Sequence, residues 1–406
     1  MSEMITIAQH RERILAAVHR LPEQVISLAG AQGRVLAQAV STRWPIPGFD
    51  NSAMDGYAVR AADIPRGGTV LRIVADLPAG SSDDPALAPG EAARIMTGAA
   101  VPSDADAIVP LEDTDLGIAI GREPPKRITI VVPPKPGAHI RRAGDDAGSG
   151  ATLLTVGTEL GPLQLSAAAS AGYADVVVTR QARVAVISTG SELVQHGVQP
   201  GRGQVPESNS VLLAAAARAA GAHVTAVANV PDDDDTLREA VTQACSDADA
   251  VILSGGASVG AFDVVKSVLG HGGAVEFAAV AMQPGKPQGF GTAPDGTLLF
   301  CLPGNPVSVA VSFEMFVRPA LRAAMGHEAL DRPRLTRTAA TGWRTPSGRT
   351  QVMPVDFDGE RVWPAGPGGS GSHLVGSLAA ARAFAIVPSE VDRVDEGDGV
   401  TVMVLN

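Results

Sequence analysis

The sequence predicts a multidomain α/β plus β protein. A doubly wound α/β domain is expected over residues 179–328, a mostly-β domain over 51–140 inserted into an N-terminal mixed, helical region (1–50 and 141–178), and a small C-terminal β barrel or sandwich over 329–406. Three observations predict this. Between residues 180 and 325 continuous apolar runs alternate with helix-like segments, the signature of strand–helix–strand units. From Tyr57 to about Ile140, and again in the tail, short β-type runs are separated by Pro, Gly and Asp. The chain has 406 residues, 45% hydrophobic and 18% charged, enough for roughly two to four domains with real cores.

Thr6 is placed to cap a first helix whose apolar face is Ile14, Leu15, Val18 and Leu21, with Pro22 as its stop. A second helix is expected from Leu28 to Ala39. The inserted β domain follows, with strand-like runs at Thr69–Ala75, Ala92–Met96, Ala107–Pro110 and Arg127–Val132. Leu163 to Ala171 returns to helix and Gly172 ends it. In the α/β domain, Val184–Ser188 reads as a strand buried on both faces. Ser210 to Ala220 is helical and stops at Gly221, Val224 to Val230 is a strand, and Asp234 to Ser246 is a helix with acidic residues at its favourable end. Ala250–Leu253 and Leu298–Leu302 are strands, and Asp263 to Leu269 and Val307 to Ala324 are helices. Gln351–Phe357, Ala383–Pro388 and Val400–Val404 are the clearest strands of the tail.

The net charge of −11 argues against a nucleic-acid surface, although a local cation cluster can still bind an anion. Cys245 and Cys301 lie far apart among apolar residues and read as reduced thiols, not as a disulfide or a zinc site. No signal-like segment and no spanning run is seen, so a cytoplasmic protein with no membrane contact is expected.

Ligands of open α/β sheets sit beyond the carboxyl ends of the strands. Four loops in that position are polar and small: Ser188-Thr189-Gly190-Ser191-Glu192, Pro231 to Asp235, Ser254-Gly255-Gly256-Ala257-Ser258-Val259-Gly260 followed by Asp263, and Pro303-Gly304-Asn305-Pro306. Each alone could be a mere turn. Together they describe one rim, where glycines let backbone N–H groups approach an anion. Asp234 and Asp235 are best read as a helix start, whereas Asp232 and Asp233 could hold Mg²⁺, which prefers oxygen ligands. Pro306 suits the first helical position and Asn305 the N-cap. Gln283-Pro284-Gly285-Lys286-Pro287 adds a cation on a backbone stiffened by two prolines.

The most demanding segment is Pro47-Gly48-Phe49-Asp50-Asn51-Ser52-Ala53-Met54-Asp55-Gly56-Tyr57-Ala58. A linker does not need that mixture, and a strand does not tolerate it. The segment resembles the signature of the molybdopterin molybdenumtransferases. The resemblance continues through Met96-Thr97-Gly98, Arg142 with Gly144-Asp145-Asp146, Ser188-Thr189-Gly190 with Glu192, Asp232-Asp233, the Ser254–Gly260 loop with Asp263, Pro284-Gly285-Lys286-Pro287, Pro303–Pro306, Gly348-Arg349 and Gly371-Ser372.

The resemblance implies an elongated homodimer with a molybdopterin-binding α/β domain. Its site would be shared between that domain of one subunit and the inserted domain of its partner, with Asp55 and Thr97 opposite Glu192, Asp233 and Asp263. The implied reaction joins molybdate and adenylylated molybdopterin to give molybdenum cofactor and AMP, with Mg²⁺ as cofactor. The implied catalytic set is Asp55, Thr97, Glu192 and Asp263, and the metal ligands are Asp233 and Asp263. Substrate would be held by Ser254, Gly255, Gly256, Ser258, Gly260, Pro303, Gly304, Asn305 and Pro306, with Lys286, Arg349 and Ser372 for molybdate. A molybdopterin adenylyltransferase would be the upstream supplier. Two departures from the family pattern bear on the anion site: Gln283 stands where many members have Lys, and Arg349 is followed by Thr350-Gln351-Val352-Met353-Pro354 without a second Arg. The competing readings are the preceding step, adenylylation of molybdopterin by ATP, and a non-catalytic pterin-binding scaffold. The Asp50–Arg60 segment and the extra β domains speak against the first, and retention of the site motifs against the second.

Overall fold

The computed structural model describes residues 4–118, 121–255, 264–270, 273–367 and 369–405. Helix α1 (Ile7–Ala16) starts with a capping box in which Thr6 Oγ1 accepts from the Gln9 N–H and Gln9 Oε1 from the Thr6 N–H. It ends at Ala17, so Val18 and Leu21 pack on the α/β core from an irregular segment, not from the helix.

The helix expected over Leu28–Ala39 does not form. β1 (Glu23–Ser27) pairs antiparallel with Asp175–Thr179, a single 3-10 turn covers Leu28–Gly30, and Val35 and Leu36 make isolated bridges to Glu159 and Val178. The apolar spacing suited a helix, but Gly33 at φ +72° breaks the path, and pairing with a distant segment supplies the backbone hydrogen bonds instead.

The inserted domain is a five-stranded sheet of β2 (Gly56–Val59), β3 (Thr69–Leu77), β4 (Glu91–Ile95), β5 (Ala107–Pro110) and β6 (Arg127–Ile130) in the order β5-β2-β4-β3-β6. It buries Tyr57, Val59, Leu71, Val109 and Ile128 on one face and Ala58, Leu77, Ile95 and Ile108 on the other. The chain then returns to the first region through α2 (Pro162–Ser170), where Gly172 at φ +96° ends the helix as expected, and β7 (Asp175–Thr179).

The α/β domain contains β8 (Arg183–Thr189), α3 (Asn209–Ala219), β9 (His223–Val230), α4 (Asp234–Asp247), β10 (Ala250–Ser254), β11 (Val275–Ala279), the short β12 (Met282–Gln283), β13 (Pro287–Thr292) and β14 (Leu298–Leu302). Its six-stranded sheet runs β9-β8-β10-β14-β13-β11, with the first four strands parallel and β13 antiparallel to both of its neighbours, β14 and β11. Central β10 and β14 are buried along their whole length, which is why they read as unbroken apolar runs. The long helix expected after Pro306 is α5 (Pro306–Ser312) and α6 (Arg318–Ala324) joined by a π-helical turn at Phe313–Val317. Pro319 explains the widened turn, because it has no N–H to continue the ladder.

The tail closes a barrel of β15 (Arg334–Ala339), β16 (Thr350–Phe357), β17 (Arg361–Pro364), β18 (Ala383–Val387) and β19 (Gly399–Val404), completed by the β16–β18 pairing. β12 of the α/β domain pairs with β16, Met282 opposite Thr350. That bond row fixes the Gln283–Pro287 loop against the barrel.

Candidate functional site

A cavity of about 850 Å³ opens at the carboxyl ends of the parallel strands. Thr189, Gly190 and Glu192 enter it after β8, Asp232 after β9, Gly255 after β10, and Pro303 to Pro306 after β14. Lys286 comes from the loop stitched to the barrel, and Arg349, Ser372 and His373 from the barrel itself. Motifs far apart in sequence therefore line one wall, as the strand-end argument requires.

Close backbone approach shapes the floor. Gly255 lies at φ +98°, and a Cβ there would sit 2.3 Å from the Thr189 carbonyl oxygen, so no other residue fits. The Glu192 carboxylate folds over Gly190, where an added Cβ would come within 2.9 Å of it. Ser191 and Asp232 join two strand ends reciprocally: the Ser191 N–H donates to Asp232 Oδ2 at 2.9 Å, and the Asp232 N–H to Ser191 Oγ at 3.3 Å.

Asp233 has a different place. It is the N-cap of α4, its Oδ1 accepting from the Thr236 hydroxyl at 2.6 Å and the Thr236 N–H at 2.8 Å, which hold its carboxyl below the usual range. Asp232, not Asp233, is on the cavity wall. Asn305 occupies the N-cap position of α5 but makes no side-chain cap bond; its Nδ2 donates to Ser372 Oγ at 2.9 Å, linking the α/β domain to the barrel. Ser254 is buried under the floor, 3.1 Å from Ser188 Oγ, and does not line the cavity. Gly256, Ser258, Gly260 and Asp263 lie outside the described residues.

Among the described residues neither Lys286 nor Arg349 forms an ion pair. The Lys286 loop is held by its backbone: the Val280 N–H donates to Lys286 O at 2.7 Å, and Gln288 Nε2 donates to Gly285 O and Ser312 Oγ, both at 2.7 Å. Two cations with no carboxylate partner among the described residues stand on one cavity wall, a charge pattern that suits an anion.

Sequence reasoning missed Glu207 and Asn209. Glu207 is only 5% exposed. Its Oε1 accepts from Ser188 Oγ at 3.0 Å and from the Ser210 N–H at 2.7 Å, and its Oε2 from Ser210 Oγ. It thus ties the start of α3 to the end of β8. Asn209 Nδ2 donates to Gly304 O at 2.7 Å. The available signal was the polar Glu207-Ser208-Asn209-Ser210 stretch just before an Ala-rich helix.

The signature segment forms a second constellation. Asp50 accepts from the Ala143 N–H at 2.8 Å and from Arg142 Nη1 at 2.5 Å, which lower its pKa. Gly98 N–H donates to Ser52 O at 2.8 Å. Asp55 Oδ1 accepts from the Thr97 N–H at 2.7 Å and Thr97 Oγ1 at 2.8 Å, and its carboxyl is held below the ordinary value by those bonds. Gly56 is required because a Cβ would lie 2.1 Å from the Val109 carbonyl oxygen. Three motifs distant in sequence thus meet, and Asp55 is aimed by Thr97. Among the described residues, no residue of this domain lines the cavity.

Comparison with known proteins bears on the family and the fold. Residues 5–172 match the MoeA N-terminal region (domain I and II), 185–323 a probable molybdopterin binding domain, and 336–405 the MoeA C-terminal region (domain IV). The chain is 42% identical to molybdopterin molybdenumtransferase 2 of Mycobacterium tuberculosis over 97% of this chain and 98% of that protein. It is 33% identical to the molybdopterin molybdenumtransferase of Haemophilus influenzae over 99% of each. The crystal structure of the molybdopterin biosynthesis moea protein from Pyrococcus horikosii superimposes with a TM-score of 0.84 at 30% identity, covering 99% of both chains. With matches at this identity along nearly the whole length, the chain belongs to the molybdopterin molybdenumtransferase family.

Proposed function

We propose that this chain inserts molybdenum from molybdate into adenylylated molybdopterin, releasing AMP and forming molybdenum cofactor. The observation that carries the reading is the cavity that unites Lys286, Arg349 and Ser372 with the glycine-rich strand ends. Molybdate is a dianion, and Lys286 and Arg349 supply two positive charges that are unpaired among the described residues. Asn305 Nδ2 donates into Ser372 Oγ, which leaves the Ser372 hydroxyl proton free to donate to an anion oxygen.

The residues present fit Mg²⁺ as cofactor. Glu192 and Asp232 put carboxylate oxygens on the same cavity, and Mg²⁺ is commonly bound by one or two carboxylates with waters and substrate phosphate. Glu192 and Asp232 would hold it, with Asp263 as a further candidate. When bound it would neutralise charge at the phosphoanhydride. Asp233 contributes through the cap that sets the start of α4 beside Asp232.

The reading includes a homodimer whose partner brings Asp55 and Thr97 to the cavity. Support comes from their separation: Asp55 is aimed by Thr97 yet neither lines the cavity of the same chain. It also includes a cytoplasmic setting and an adenylyltransferase as supplier; among the described residues no helix is long and apolar enough to cross a membrane.

The test is AMP release from purified protein given adenylylated molybdopterin, Mg²⁺ and molybdate. Molybdate-dependent release with active cofactor formed is expected. AMP transfer from ATP onto free molybdopterin would reassign the chain to the preceding step, and pterin binding without either reaction would make it a scaffold. Mixing Asp55→Ala with Lys286→Ala protein at limiting molybdate, where each alone is strongly impaired, tests the shared site. Each mixed dimer regains one intact site, so about a quarter of wild-type activity is expected if subunits exchange freely.

A further inference from the structure

Among the described residues, two side-chain atoms of cavity-lining residues are buried without a hydrogen-bond partner: Thr189 Oγ1 and Asn209 Oδ1. The residues are 4% and 8% exposed. Unmet buried polar atoms are rare in native proteins and call for an explanation. The identity of the free Asn209 atom follows from chemistry. Its other amide atom meets the Gly304 carbonyl at 2.7 Å, and a carbonyl only accepts, so the amide nitrogen faces Gly304 and the free atom is the acceptor oxygen.

Their place in the fold is equally specific. Thr189 ends β8 and Asn209 opens α3. The sheet order β9-β8-β10-β14 reverses direction between β8 and β10, and that switch point is where open α/β sheets bind ligands. Gly255 and Gly304 line the crevice between these residues, and a Cβ added to Gly304 would lie 3.5 Å from Gly255 Cα. With no side chains there, the backbones of these strand ends close up, Gly255 against Thr189 and Gly304 against Asn209, which sets the two unpartnered atoms on one contiguous stretch of cavity wall. The cations of the cavity stand on other elements, Lys286 on the Gln283–Pro287 loop and Arg349 on the barrel.

We infer that Thr189 and Asn209 form an uncharged recognition subsite for the edge of an amino-bearing nitrogen heterocycle. Asn209 Oδ1 accepts from a ring N–H or exocyclic amino group, and the Thr189 hydroxyl bonds the neighbouring ring nitrogen or oxygen. The inference rests on the insertase reading, whose substrate carries two such rings, a pterin and an adenine. The shared chemistry is the amino-bearing ring edge, and the experiment assigns the ring.

The full-length protein, Thr189→Val and Asn209→Ala are compared by calorimetric titration with four probes: pterin, lumazine (oxo in place of the 2-amino group), AMP and IMP (oxo in place of the 6-amino group). Thr189→Val removes a hydroxyl that has no protein partner, so its Tm should equal or exceed that of wild type. Affinity for the recognised ring should nonetheless fall about 2- to 12-fold, the value of one hydrogen bond. Asn209→Ala should abolish the wild-type preference for the amino ring over its oxo analogue. The probe pair that responds, pterin with lumazine or AMP with IMP, identifies the ring. Variants that bind all four probes like a wild-type protein competent in molybdate-dependent AMP release would overturn the subsite and leave the insertase reading standing. A wild type that neither releases AMP nor binds any probe would overturn both. A fall in the Tm of Thr189→Val without loss of affinity would mark the hydroxyl as structural and overturn the subsite.

Discussion

Replacing Glu207 by Ala tests how the strand ends are held. Glu207 is buried and accepts three hydrogen bonds, from Ser188 Oγ, the Ser210 N–H and Ser210 Oγ. The Ser210 amide is among the first N–H groups of α3 and has no acceptor within the helix, and Ser208 in the N-cap position offers no side-chain bond. Ser188 can turn to Ser254, 3.1 Å away, but the amide cannot turn. One orphaned buried donor costs about 1–3 kcal/mol. Adding the cavity left by a buried side chain, the loss for Glu207→Ala is about 2–4 kcal/mol. Glu207→Gln is the control: its remaining oxygen serves Ser188 and the Ser210 amide, and its NH₂ donates to Ser210 Oγ, so a loss within about 1 kcal/mol is expected. Amide hydrogen exchange of the first turn of α3 reads the effect locally. At 1.4 kcal/mol per tenfold, exchange in Glu207→Ala should be faster by at least tenfold, with Glu207→Gln close to wild type. Wild-type exchange in Glu207→Ala, or equal damage from both substitutions, would refute the capping argument.

Three further outcomes follow from the geometry. Asp55→Ala should lower molybdate-dependent AMP release by about 100-fold or more while the protein stays folded by circular dichroism; a fully active, folded variant would remove Asp55 from the reaction. Lys286→Ala should raise the molybdate concentration for half-activity about tenfold, and an unchanged requirement would take Lys286 out of the anion site. His10 is buried against Phe316 with its Nδ1 unpartnered, and burial, aided by Arg13, pushes its pKa down to about 4. The unfolded chain therefore takes up the proton first. The His10 contribution is fully present above pH 6.5 and is lost as pH falls from there toward 4, about 3 kcal/mol in all. Urea midpoints across that range should fall for wild type and less for His10→Phe, and parallel pH profiles would refute the assignment.

The α/β domain was legible because its cause is local and repeated. Val184–Ser188, Ala250–Leu253 and Leu298–Leu302 are continuous apolar runs since their strands are covered on both faces, and Gly172 and Gly221 ended helices because both sit at φ +96°. The region after Leu28 was misread because helix and strand compete on one apolar spacing, and the winner was decided by Asp175–Thr179, nearly 150 residues away. The same limit applies to the site. Residue type and placement pointed to Lys286 and the strand-end glycines, since a glycine or a lone cation on a stiff loop carries its meaning in one position, whereas Arg349 and Ser372 came from the family resemblance. The sequence did not separate Asp232 from Asp233, because adjacent carboxylates look alike until one is turned into a helix cap and the other onto a cavity wall. It was also silent on Glu207 and Asn209, whose roles come from burial and partners: a carboxylate becomes a cap, and an amide oxygen a free acceptor, only when tertiary packing excludes water and chooses what each atom faces.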